Sequence, residues 1–250
     1  MLMSRTGDAR LNEFGQPVGV AVLNWSGSKT PKGDVLDGRL CRLEALDAGR
    51  HADDLADAFA LDPDGRIWTY MASGPFASKG ALKQWLTTVS KQDDPLFYAI
   101  VDKACAKAVG IASYMRIAPT AGSIEVGSIA FSPLMQRTPL ATEAMFLMMQ
   151  HAFEALAYRR YEWKCDALNA ASRKAALRYG FRFEGIFRQA LVYKGRNRDT
   201  AWFSILDREW PAVRAGFTAW LAPENFDQDG GQKKKLSELI DWHRSTGEGV

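Results

Sequence analysis

Two carboxylates, a serine, a tyrosine and one cation-bearing turn are the residues of this chain best typed and spaced for chemistry. Glu125 lies in SIEVGSIAF (123–131) and Glu162 in RYEWKCDA (160–167). Both runs alternate like strands, so Glu125, Gly127 and Ile129 share one face, as do Glu162, Lys164 and Asp166. A carboxylate turned into a cleft between such strands has its pKa raised by burial and can accept a proton. Ser172, one turn inside a small-residue helix, and Tyr193, before the turn KGRN (194–197), can donate one. Gln136-Arg137-Thr138-Pro139 precedes a long apolar run. Thr138 and Pro139 fit the cap and first position of a helix, whose free amides and dipole attract an anion beside the Arg137 charge. With a strand feeding directly into it, this turn is a reasonable place to hold a phosphate.

Other chemistries fit poorly. Three cysteines (Cys41, Cys105, Cys165) and three histidines (His51, His151, His243) are scattered, without the spacing of a disulfide framework, a metal site or a Cys/His nucleophile pair. Net charge is +3, from 32 basic and 29 acidic residues, too balanced to attract nucleic acid by field alone. The basic runs YRRYEWK, KGRNR and QKKK fall on separate elements broken by acids. The densest apolar run, Ala144–Met149, stops far short of a bilayer span, and MLMSRTGDAR lacks the apolar stretch of a signal peptide, so a cytoplasmic location without a membrane partner is expected.

Elements must position these residues. Residues 1–38 are rich in turn formers and read as an N-terminal arm; 39–222 read as the working domain and 223–250 as a polar tail. Strand 39–46 leads to a helix at 47–60 capped by Asp47, and a second helix covers 79–91. Strands 96–103, 108–117 and 123–131 follow with hairpin-length connectors, hence antiparallel. A buried helix from Pro139 to Ala157 then leads to strand 160–167, which must lie parallel to 123–131 with a right-handed crossover. A helix over 169–180, capped by Asn169 and stopped at Gly180, precedes a bent strand, a turn at 194–197 and a last strand running to Trp210. The fold class is α+β with a mixed, mostly antiparallel sheet flanked by helices and one parallel βαβ unit.

The order of strand, QRTPLA turn, buried helix, strand and NAASRKAALRYGFRFEG (169–185) resembles the GNAT N-acetyltransferases, and within them the RimJ/RimL-type protein N-terminal acetyltransferases, over about residues 39–210. The resemblance implies acetyl-CoA as donor, with no metal, and direct transfer to an amine, a protein N-terminus or a small molecule. It implies that Gln136, Arg137, Thr138, Leu140, Ala141 and Thr142 line the pyrophosphate. The backbone of Ile129, Ala130 and Phe131 would pair with the pantetheine arm, and Asn169, Ala175 and Tyr179 would border it. Ser172, or Tyr179, would stand by the thioester sulfur, and Glu125, Glu162 or Tyr193 would take the amine proton.

The chain departs from the family twice. Pro139 occupies a position usually held by glycine, which removes one N–H donor. RQALVYKG (188–195) has no carboxylate where RimL-like relatives often place a glutamate base. The same residues therefore also suit a CoA-binding module without catalysis. Asp53, Asp54 and Asp57 are candidates for recruiting a cationic acceptor, and Trp68, Tyr70 and Trp85 for walling its site. The arm and tail are candidates for homodimer contacts.

Overall fold

The computed structural model describes residues 10–247. The arm carries a small hairpin, β1 (Arg10–Leu11) paired with β2 (Pro17–Val18), and then crosses the body. There the Trp25 indole donates to Thr120 O (2.8 Å) and Arg159 stacks on its ring. The arm ends as β3 (Leu36–Asp37), the first strand of an eight-stranded sheet.

The strands that follow are β4 (Cys41–Ala45), β5 (Leu96–Asp102), β6 (Lys107–Ala118), β7 (Ser123–Phe131), β8 (Arg160–Asp166), β9 (Arg182–Tyr193) and β10 (Arg196–Leu206). Spatial order is β3-β4-β5-β6-β7-β8-β10-β9, and only β7 and β8 run parallel. Period-two alternation splits the side chains between two cores. Phe97, Ala99 and Ile111 face α1 (Ala48–Phe59) and α2 (Lys79–Val89), while Tyr98, Ile100 and Tyr114 face the opposite layer. That layer holds α3 (Pro139–Gln150), α4 (Ala170–Arg178), α5 (Trp210–Leu221) and α6 (Leu236–Thr246). α3 is apolar on most faces and buries Ala144, Met145, Met148 and Met149 beneath the sheet. It ends in a π turn, His151–Ala155. Glu143 anchors it from inside: its carboxylate accepts from the backbone N–H groups of Arg39 (3.0 Å), Leu40 (2.6 Å) and Cys41 (2.9 Å).

Two elements differ from the sequence reading. The last strand stops at Leu206, where the Glu209 carboxylate accepts from Leu206 N (3.0 Å), and Pro211 opens α5. The 223–250 segment, read as polar, carries α6, whose Leu236 and Ile240 are fully buried. Ile240 lies over Gly216, where an added Cβ would come within 2.9 Å of its backbone, so glycine sets the close approach of α5 and α6.

The feature that makes a site is a splay between β7 and β8. Their parallel pairing runs only from Ser123↔Arg160 to Val126↔Trp163. Beyond it β7 holds one residue more than β6 between the pairs Ser113↔Gly127 and Ile111↔Ala130, a bulge at which Ser128 takes φ 49°. The extra residue bends β7 away from its neighbour. Ser113 Oγ, fully buried, donates to Gly127 O (3.1 Å) and fixes the bend. Past Val126, the edges of β7 and β8 that face each other are unpaired, with amides and carbonyls open to a wedge.

Candidate active site

At the mouth of the wedge, residues 132–138 fold into a tight turn. Ser132 O accepts from Met135 N (3.1 Å) and Gln136 N (3.2 Å), and Gln136 Nε2 donates to Phe131 O (2.8 Å). Gln136 thus ties the turn to the end of β7. Arg137 adopts φ 62°, a left-handed conformation uncommon outside glycine, and its exposed side chain has no acidic partner among the described residues. Thr138 Oγ1 donates to Met135 O (2.7 Å) and caps Ala141 N (3.4 Å). Pro139 has no N–H and Thr138 N binds Met135 O (3.3 Å), so Leu140 N is the first-turn donor left free. Thr142 and Tyr179 lie behind this turn rather than on it. Thr142 is buried, and its hydroxyl accepts from Arg178 Nη1 (3.1 Å). Arg178 in turn stacks on Trp220 (4.9 Å) and Tyr179 (5.3 Å), and the Tyr179 ring packs on Phe217. Burial lowers the Arg178 pKa, and among the described residues no carboxylate pairs with it.

On the α4 face of the wedge, Asn169 Oδ1 caps the helix by accepting from Ser172 N (3.0 Å). Ser172 Oγ accepts from Trp163 Nε1 (3.0 Å), which fills one lone pair and leaves the hydroxyl hydrogen directed to a sulfur neighbour. Cys165 lies beside the same hydroxyl; burial pushes its thiol pKa up and the Ser172 contact opposes that. Ala175 is half-buried on the same helix.

On the opposite face sits a buried ion network. Parallel pairing sets Glu125 directly beside Glu162. Lys164 Nζ bridges them at 2.8 and 2.6 Å, with its side chain 5% exposed and 3.9 Å from the Trp202 ring centre. Arg116 completes Glu125 (2.7 Å) and Arg160 completes Glu162 (2.6 Å). Burial raises the Glu125 pKa against the pull of Lys164 and Arg116. Burial also acts on Glu162, but hydrogen bonds from Lys164 and Arg160 outweigh it and hold this carboxylate below its ordinary range. Neither carboxylate is free of a cation.

Further out along β8, Asp166 is buried without an ion-pair partner among the described residues. Its Oδ1 accepts from Leu168 N (2.8 Å) and its Oδ2 from the Tyr193 hydroxyl (2.9 Å). Three loops meet here. Tyr70 Oη, from the α1–α2 connection, donates to Leu168 O (3.4 Å), and Lys194 Nζ, at the β9–β10 turn, donates to Trp68 O (2.7 Å).

Glu125 and Glu162 sit side by side in the paired stretch where the wedge begins, Tyr193 reaches Asp166 on their face of the sheet, and Ser172 lies by Trp163 on the opposite, α4 face, with the Gln136–Ala141 turn beyond the end of β7. The acidic helix face stays apart: Asp57 pairs with Lys79, Asp53 approaches Lys83 (3.9 Å), and Asp54 accepts from Ala108 N (3.3 Å). Trp68 and Trp85 pack edge-on within the α1–α2 core. Sequence reasoning passed over Lys164, Arg116, Trp163 and Asp166. Alternation already put Lys164 and Asp166 on the Glu162 face, but Arg116 reaches Glu125 only because a bulge in β6, with Arg116 at φ 48°, turns it there.

A sheet splayed at one parallel pair, with a helix N-terminus at its mouth, defines an acetyltransferase architecture, and comparison with known proteins agrees. Residues 43–182 match the acetyltransferase (GNAT) domain family. The chain belongs to the GNAT acetyltransferase family. It is 51% identical to a GCN5-related N-acetyltransferase from Brucella melitensis, with 88% of this chain and 100% of that one covered at a TM-score of 0.86. It is 42% identical to a probable acetyltransferase of the GNAT family from Chromobacterium violaceum, covering 78% of this chain and 97% of that one at a TM-score of 0.72. RimL, a ribosomal L7/L12 alpha-N-protein acetyltransferase, shares the fold at 18% identity, with 70% and 98% covered and a TM-score of 0.60. The search of curated proteins gave no match. The acyltransferase class and the GNAT fold expected from sequence therefore hold, while the narrower RimJ/RimL type rests on fold alone. Among the described residues no group of metal-binding side chains occurs, and no helix is long and apolar enough to cross a membrane.

Proposed function

We propose that the protein moves an acetyl group from acetyl-CoA to a primary amine by direct attack within a ternary complex. The observation that carries this reading is the wedge: an open β7 edge from Gly127 to Phe131 leads straight to the Arg137–Leu140 turn. These residues fit the donor. The open edge offers strand-like pairing to a pantetheine amide chain, with Ile129, Ala130 and Phe131 along it. Arg137 and Leu140 N offer a charge and a donor to the pyrophosphate at a helix N-terminus, and Gln136 and Thr138 hold that turn in shape. Arg178, stacked at the inner side, adds a second uncompensated positive charge.

Acetyl-CoA supplies the activated acetyl group. The chain's own residues supply position and proton control. β7 amides near the bulge polarise the acetyl carbonyl. The Ser172 hydroxyl, oriented by Trp163, donates to the departing sulfur. An acceptor amine reacts only when neutral, which at pH 7 favours an α-amine of pKa about 8 over a lysine-like amine of about 10. A protein N-terminus or a small amine acting in the cytoplasm are the acceptors this reading covers.

The donor site is tested with Arg137→Ala/Thr138→Val, measuring acetyl-CoA affinity by calorimetry on protein whose folding is checked by circular dichroism. Loss of one charge-assisted contact, worth about 1.5–3 kcal/mol, is expected to weaken binding roughly 10- to 100-fold. Unchanged affinity in a folded variant would place the pyrophosphate elsewhere.

A further inference from the structure

We infer that Asp166 and Tyr193 form a two-residue proton relay that serves the acceptor amine, with Asp166 as the positioning residue and terminal proton acceptor and Tyr193 as the group that meets the amine. The inference rests on the acetyltransferase reading of the same site.

Geometry selects this pair over the other carboxylates. Glu125 and Glu162 are each held by two cations at 2.6–2.8 Å, so a proton delivered to either must displace an ion pair. Asp166 shares their face of β8, yet its two hydrogen bonds come from neutral donors, Leu168 N and the Tyr193 hydroxyl. It lies three residues beyond Trp163, the last residue of β8 paired with β7. At about 3.3 Å per residue that is roughly 10 Å out along the open wedge, level with the Ile129–Ala130 edge of β7. There the pair lies on the α1–α2 face of the sheet, Tyr193 reaching over β10 from β9, at the level of the backbone proposed to hold the thioester.

Tyr193 is not held there by the hairpin alone. The turn after it is pinned through Lys194 to Trp68 O, and Asp166 is pinned through the Leu168 loop, which Tyr70 closes from the other side. Arg198, 5.8 Å from the Tyr193 ring centre, and the Tyr70 hydroxyl are the other charged or titratable groups acting on this phenol. Burial and the neighbouring Asp166 raise the Tyr193 pKa, so the phenol stays protonated at neutral pH and works by passing protons on.

The amine nitrogen bonds to the acetyl carbon and the carbon–sulfur bond breaks. The surplus proton on nitrogen passes to Tyr193 Oη as the phenolic proton passes to Asp166 Oδ2. The thiolate takes a proton from Ser172, which is replenished from solvent, and Asp166 returns its own to solvent. The products are an N-acetylamide and the CoA thiol.

The test is thiol release from acetyl-CoA across the neutral to alkaline range, with serinamide, glycinamide and spermidine each offered as the amine, for wild type, Asp166→Asn, Tyr193→Phe and the double variant. Acetyl-CoA affinity is measured in parallel as the check on folding. The relay predicts that either single change lowers kcat about 100-fold or more with unchanged acetyl-CoA affinity. It also predicts that the deficit narrows as pH rises, and that the double variant is no worse than either single, because the two residues act as one unit. Single variants within about threefold of wild type, or losses that multiply in the double and do not change with pH, would overturn the relay while leaving the acetyltransferase reading intact. Absence of thiol release by wild type with every amine offered would instead overturn the reading of the site, and the relay with it.

Discussion

Lys164 is a cation shared by two buried carboxylates, and Lys164→Met removes it while keeping a chain of similar length against Trp202. The side chains involved are 5% (Lys164), 3% (Glu125) and 12% (Glu162) exposed, so the network is largely shielded from water. Breaking a buried ion pair by removing one partner costs about 3–5 kcal/mol. Arg116 and Arg160 each remain on one carboxylate, which puts the expected loss near the lower end, about 3 kcal/mol. For a chain of this size that corresponds to a fall in Tm of about 6–12 °C. Burial already raises the Glu125 pKa against the pull of Lys164, and Lys164 is one of the two cations that hold Glu162 low, so losing it shifts both carboxylates upward in the folded state. The penalty is therefore full at neutral pH and is relieved as acidification protonates them. Urea unfolding at neutral pH and near pH ~4.5 reads both quantities. A second variant, Lys164→Met/Glu125→Gln, removes one stranded charge and is expected to recover part of the loss. A loss below about 1 kcal/mol at neutral pH, as for an exposed pair, or one that grows on acidification, would refute the reasoning.

Glu162→Gln tests the lowered pKa of that carboxylate: its stabilisation is present above the ordinary glutamate range and disappears as pH falls through its folded value. The variant should be less stable than wild type by about 1–2 kcal/mol at neutral pH, with the unfolding curves converging in acid. Glu143→Ala strands three backbone donors of the β3–β4 turn and should cost about 3 kcal/mol or more in urea unfolding, whereas Glu143→Gln keeps an acceptor oxygen and should cost less. Ser172→Ala should lower kcat roughly 100-fold with little change in acetyl-CoA affinity, and a wild-type kcat would remove Ser172 from the chemistry.

Much of the scaffold was legible because it rests on local signals. Asp47 caps α1 by accepting from Gly49 N and Arg50 N, Asn169 caps α4, and Thr138-Pro139 opens α3, each as its residue type dictates. Alternation placed β5 to β8 within about one residue of their ends. What escaped depends on contacts remote in sequence. α5 is apolar nearly all round, and the sequence reading runs the last strand through to Trp210, the first residue of this helix. α6 looks polar until Ile240 finds the glycine notch at Gly216. The bulge at Ser128 has no residue signature, yet it creates the wedge, and the bulge at Arg116 gives Glu125 a second cation beside Lys164. The inward turn of Thr142 likewise follows from Arg178, 36 residues away.

The central claim, acetyl transfer to an amine, is tested most directly by free-thiol release from acetyl-CoA by the wild-type protein. The panel should hold peptides with Ser, Ala, Thr or Met N-termini, free amino acids, polyamines and aminoglycosides, with the melting temperature recorded with and without acetyl-CoA. The account predicts release above background hydrolysis with one class of amine and a higher melting temperature with the donor. No release with any amine, while acetyl-CoA still raises the melting temperature, would contradict it and leave a CoA-binding protein without transferase activity.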